Sequence, residues 1–124
     1  MKLITREEIK EKINKWQNDD SSSLELKKWA ESVYSDFRKD TIDFTDYEKD
    51  ELNSISKEVI ILLDSLDMNL IIKDDADSLI ELLKTKIGEF DKGMSKQDNY
   101  VKSINLKERK GKLSNDSFYS KYCK

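Results

Sequence analysis

The stretch Thr45–Leu66, TDYEKDELNSISKEVIILLDSL, constrains the fold more than any other part of the chain. Leu52, Ile55, Val59, Leu62, Leu63 and Leu66 recur at steps of three and four, which lays one continuous apolar face along a helix. Thr45-Asp46-Tyr47-Glu48 precedes that face with the spacing of a capping box, a hydroxyl at the cap and a carboxylate three residues on. The pattern predicts a helix over 45–66. An amphipathic helix is stable only when its apolar face is buried, so the flanking segments must supply partners for it.

They do so with the same grammar. Thr5-Arg6-Glu7-Glu8 is a capping box followed by Ile9, Ile13 and Trp16 on one face, which predicts a first helix from about Thr5 to Asn18. Ser22-Ser23-Leu24-Glu25 repeats the spacing and leads into Leu26, Trp29, Ala30, Val33 and Phe37, a second helix, with both tryptophans expected in the packing between the two. Asp74 or Asp75 caps a fourth helix whose inner face is Ala76, Leu79, Ile80, Leu83, Ile87 and Phe90, with Gly88 or Gly93 as its stop. Asp74, Asp75 and Asp77 fall in its first turn, where exposed carboxylates complement the helix dipole by about 0.3–1 kcal/mol each. Leu70-Ile71-Ile72 is a short apolar link with no evident strand partner.

From Gly93 onward the periodicity weakens. Tyr100, Val101 and Ile104 suit one short amphipathic turn, Lys107–Lys112 is a basic cluster, and Phe118, Tyr119 and Tyr122 are expected to dock on the helical body. The chain has no proline and three glycines, so little interrupts long helices and a sheet with tight glycine turns is disfavoured. The expected fold is all-α: one domain over 1–124, an antiparallel bundle of four main helices plus a short helical or irregular basic C-terminal segment. Within it, 1–92 form an acidic helical body and 93–124 a basic tail docked on that body.

Composition excludes more chemistry than it offers. The chain has no histidine and one cysteine, Cys123, which removes Ser-His-Asp and Cys-His arrangements, histidine zinc sites, thiolate clusters and any internal disulfide. Neither phosphate-binding glycine loop is present, and the aspartates lack the spacing of a calcium loop. Among 26 acidic residues some carboxylates are adjacent by chance, so paired acids carry no catalytic argument. No enzymatic activity, cofactor or metal is expected. The longest apolar run, Val59–Leu63, is far too short for a membrane span, and Arg6-Glu7-Glu8 ends the apolar start before a secretory segment forms, so a cytoplasmic protein is expected.

Charge is divided unevenly along the chain. Residues 1–90 carry 14 basic against 22 acidic groups, net −8, while residues 91–124 carry 9 against 4, net +5, within an overall −3. Such a body attracts a basic partner and repels nucleic acid, while the tail has the opposite preference. Acids crowd the end of the second helix and the connection that follows. Asp40, Asp43, Asp46, Asp50 and Glu51, with the aromatic anchors Phe44 and Tyr47, are the candidate partner-binding residues. Charge reversal at Asp43, Asp46 and Asp50 is expected to slow association. The competing class is a helical adaptor or regulatory domain touching nucleic acid through Lys107, Arg109, Lys110 and Lys112 and the terminal aromatics.

Met1-Lys2-Leu3-Ile4-Thr5-Arg6-Glu7-Glu8, then Trp16 and the acidic turn Asp19-Asp20, resembles the start of small helical bacterial immunity proteins, those of bacteriocins and of contact-dependent growth inhibition systems. The likeness covers about the first thirty residues. It implies a protein that binds a cognate toxin domain, often a nuclease, and blocks its active site or substrate surface without chemistry of its own. Partner-binding residues are not carried over from the family; the candidate set above rests on charge.

Overall fold

Ile4 and Phe44 pair side by side although forty residues of chain separate them, and this pairing frames the fold. In the computed structural model, which describes residues 1–49 and 52–124, Lys2–Ile4 (β1) and Ile42–Phe44 (β2) form a two-stranded parallel sheet with Leu3 opposite Asp43 and Ile4 opposite Phe44. Parallel strands need a long crossover. Here it consists of the helices Arg6–Gln17 (α1) and Ser23–Arg38 (α2). Four further α-helices follow among the described residues: Ile55–Asp64 (α3), Ala76–Leu83 (α4), Phe90–Lys102 (α5) and Leu106–Leu113 (α6). Short 3-10 turns occupy Lys73–Asp75 and Ser120–Tyr122.

The first two helices form as their sequence directs. Thr5 and Ser22 are extended cap residues whose hydroxyls accept from the Glu8 and Glu25 backbone N–H groups, and the Glu25 carboxylate reaches back to Ser22. Trp16 is fully buried and its indole N–H donates to Ser23 Oγ at 2.9 Å. Trp29 is only partly buried, under the Lys12 ammonium. α2 lies mainly against α3, while α4 packs on α1, α3 and α5. The core between them is Ile9, Ile13, Trp16, Ala30, Val59, Ile60, Leu63, Leu66 and Leu79, each at most 1% exposed. Burying one such Ile or Leu side chain is worth about 1.5–3 kcal/mol.

The helical class expected from the sequence is present, accompanied by the small sheet. The third and fourth helices depart from their expected bounds, the third because a later serine caps it and the fourth because a distant side chain takes its last carbonyls. α3 starts at Ile55, not Thr45, because Ser54 is the cap: its Oγ accepts from the Lys57 N–H at 3.0 Å. Tyr47 and Ser54 instead form an antiparallel bridge and Glu48 N–H donates to the Asn53 carbonyl, closing a loop where the first turns were expected. Leu52 is accordingly 73% exposed, and Ile60 takes a place in the buried face that the three-four pattern left out.

α4 ends at Leu83 because the Arg6 guanidinium takes the carbonyls of Leu83 and Thr85, groups a continuing helix would use. Gly88, with φ +96°, turns the chain, and the Glu48 carboxylate accepts from the Gly88 and Phe90 N–H groups at the start of α5. Ile87 is therefore exposed instead of lining the inner face. Gly93 is no helix stop. It lies buried inside α5, where a Cβ would sit 2.4 Å from Thr85 Oγ1, so its lack of a side chain lets α5 approach the end of α4.

Candidate docking surface

β2 and the loop after it carry the candidate partner-binding residues, and the structure sorts them by depth. Asp40 ends α2 in the left-handed region, with φ 60°, and is exposed. Asp43 and Tyr47 are half-buried and joined: Asp43 Oδ1 accepts from the Phe44 N–H at 2.8 Å and from the Tyr47 hydroxyl at 2.6 Å. Burial first, then the hydrogen bond to Asp43 and the charges of Asp43 and Asp46, push the Tyr47 hydroxyl well above its ordinary pKa. Phe44 is 4% exposed, with its ring 5.1 Å from that of Phe37, so it belongs to the interior and gives no partner an anchor. Asp50 and Glu51 lie outside the described residues.

Asp46 also lies in the interior. One carboxylate oxygen accepts from Ser54 Oγ at 2.5 Å, and the other accepts from Arg6 Nε at 2.7 Å, the Ser56 N–H at 2.9 Å and Ser56 Oγ at 3.0 Å. Because Ser56 lies in the first turn of α3, the carboxylate caps that helix from outside it, where the helix dipole favours a negative charge. Burial pushes the Asp46 carboxyl up, but the donors from Ser54, Arg6 and Ser56 outweigh it and hold the pKa below the ordinary aspartate value. Reversing this charge would therefore test the fold and not a surface, which corrects the expectation for Asp46.

What remains at the surface is a smaller patch with a residue that charge alone did not nominate. The strand register sets Leu3, 54% exposed, directly opposite Asp43 on the outward side of the sheet, with Met1 79% exposed beside it. Lys57 lies over the Tyr47 and Phe37 rings and reduces the local negative charge. Asp40, Asp43, Tyr47 and Leu3 thus form an apolar and acidic patch built on β1 and β2. No family model, curated protein or solved structure matches the chain. No cluster of acidic and cysteine side chains among the described residues has the geometry of a metal site, and no helix there is long and apolar enough to cross a membrane.

The basic segment is also partly engaged. Arg109 forms a two-pronged pair with the buried Asp75, at 2.8 and 3.1 Å, and donates to the Leu70 carbonyl. Asp75 further accepts from the Tyr100 hydroxyl at 2.5 Å and from the Ile72 N–H at 2.9 Å. Burial, then the bond to Asp75, raises the Tyr100 pKa to about 12. The Tyr119 hydroxyl is buried, donates to the Ile71 carbonyl at 2.5 Å and lies 3.4 Å from Ser23 Oγ. Lys112 pairs with Glu108 on the exposed side of α6. Arg6 and Arg109 are the arginines that join distant segments through carboxylates with little exposure, and the Lys27–Asp67 and Lys73–Asp19 pairs add two more links between distant segments.

Proposed function

We propose that this chain is an immunity protein that binds and neutralises a cognate bacterial toxin domain, a basic nuclease, in the cytoplasm. The reading joins the resemblance of its first thirty residues to a body of net charge −8. The observation that carries it is the placement of exposed Leu3 against Asp43, beside Asp40 and Tyr47. An exposed apolar side chain opposite an acid suits a basic protein surface, since the acid steers the encounter and the leucine supplies area that excludes water. An acidic inhibitor of this kind occupies the surface a nuclease offers to RNA or DNA.

The alternative, a helical adaptor that contacts nucleic acid through the basic segment, is less supported. Arg109 is neutralised by Asp75 and Lys112 by Glu108, leaving Lys107 and Lys110 from the cluster. The deciding experiment is coexpression with the toxin domain encoded beside this gene. Growth should be rescued, and the purified proteins should associate quickly at low salt. Asp40→Lys combined with Leu3→Lys should slow association by about tenfold or more at low salt and much less at high salt. If coexpression gives neither rescue nor a complex, the immunity reading fails. If the double variant associates as fast as the parent, the patch is wrong although the function stands.

A further inference from the structure

Lys57, in the first turn of α3, forms no ion pair among the described residues. Its ammonium lies 5.8 Å from the centroid of the Phe37 ring and 5.7 Å from that of Tyr47, and it donates to the Leu52 carbonyl at 2.9 Å. Two rings from different elements, α2 and the loop after β2, thus converge on one cation. Ring faces at such distances attract positive charge.

Both rings are only partly buried, and both are fixed by partners other than Lys57. Phe37 stacks with Tyr34 at a centroid separation of 6.3 Å and packs on the buried Phe44 at 5.1 Å. The Tyr47 hydroxyl donates to Asp43 Oδ1, which places the carboxylate at the edge of the Tyr47 ring. Oδ1 also accepts from the Phe44 N–H, whereas Oδ2 has no hydrogen-bond partner among the described residues and is open to solvent. Lys57 therefore uses the rings and leaves the acid unpaired. A guanidinium can use both, because its plane stacks on a ring while its fork of N–H donors reaches a carboxylate.

We infer that Phe37, Tyr47 and Asp43 form a binding site for an arginine side chain of a basic protein partner, which Lys57 occupies in the free protein and vacates on binding. Only the identity of that partner rests on the function proposed above. The site itself is tested without it, by titrating methylguanidinium chloride into the full chain at constant ionic strength and following ring-proton NMR shifts. Lys57→Met empties the site and spares the Ser54 cap, which uses the Lys57 backbone N–H. In this variant the Phe37 and Tyr47 ring protons should shift saturably, with an affinity about three- to tenfold above that of the parent. Methylammonium should bind the variant about threefold or more weaker than methylguanidinium, and adding Asp43→Asn should remove most of that difference.

The ring of Trp29, which lies under Lys12, serves as the control for unspecific cation contact. The site is overturned if Lys57→Met shows no saturable shift, if its shifts at Phe37 and Tyr47 are no larger than those at Trp29, or if the two cations bind it equally. In a complex with the toxin domain, Phe37→Leu, which keeps every charge, should speed dissociation by about threefold or more. Unchanged dissociation would overturn the assignment of the partner's arginine to this site. The methylguanidinium titration decides the site even where no toxin complex forms.

Discussion

Arg6 with Asp46 and Arg109 with Asp75 are chemically alike, two buried arginine–carboxylate pairs, yet they hold different kinds of structure. The first sits where α1, α3 and α4 converge, and each of those helices buries several large apolar residues of its own. The second fixes α6, which buries none of its residues, to the start of α4. A buried ion pair adds little net stability, because desolvation offsets attraction, but removing one partner strands the other charge. The same device therefore reinforces packing at one end of the molecule and stands in for packing at the other.

The sharpest way to break the comparison is Asp46→Ala. It leaves Arg6 without its carboxylate and Ser54 and Ser56 without their acceptor, and should cost about 3–4 kcal/mol in denaturant unfolding. The effect should depend on pH with a definite sign. Since the folded-state pKa lies below the unfolded one, the contribution of Asp46 is full above the ordinary carboxyl pKa and is lost as pH falls through the folded value. The gap between parent and variant should narrow only in that acid window; a gap that closes toward alkaline pH would contradict the assignment.

Arg109→Met should be milder globally, about 2 kcal/mol, because its cost cannot exceed the free energy that holds α6 and the following turn in place. Hydrogen exchange should show lost protection confined to α6 and the segment through Tyr119. Loss spread evenly over α1 to α4 would mean that the two junctions do the same work.

The smallest effects should come from a pair of glycines of opposite sign. Gly93→Ala meets the Thr85 side chain, and overpacking of about 1–3 kcal/mol should exceed the roughly 1 kcal/mol helix gain. Gly111→Ala in α6 meets nothing within 4 Å and should stabilise by about 0.5–1 kcal/mol. Thermal midpoints that move in the same direction for both would refute the close approach of α4 and α5.

How much of this was legible in the sequence depended on the range of the interactions. α1 and α2 could be read almost to the residue because Thr5 and Ser22 cap them through neighbours three positions away. Thr45–Glu48 shows the limit of that signal. It has the spacing of a cap, but Asp46 finds better donors at Arg6, Ser54 and Ser56, and the helix begins ten residues later. The strands were illegible because three residues are too few for an alternating pattern, and their pairing spans two helices. Of the candidate site, Asp40, Asp43 and Tyr47 remain at or near the surface, Phe44 and Asp46 were misread because charge and ring type say nothing of depth, and Leu3 required the strand register.

Arg6 reaches partners 40, 77 and 79 residues along the chain, whereas the caps of α1 and α2 are local. Contacts that close such long loops form late in folding, so this junction acts as a latch on an assembled molecule and not as part of its nucleus. Arg6→Met should raise the unfolding rate roughly a hundredfold while leaving the refolding rate nearly unchanged. A proportionate slowing of refolding would place the junction in the transition state. On this reading, the residence time of the native state is governed by one side chain near the beginning of the chain.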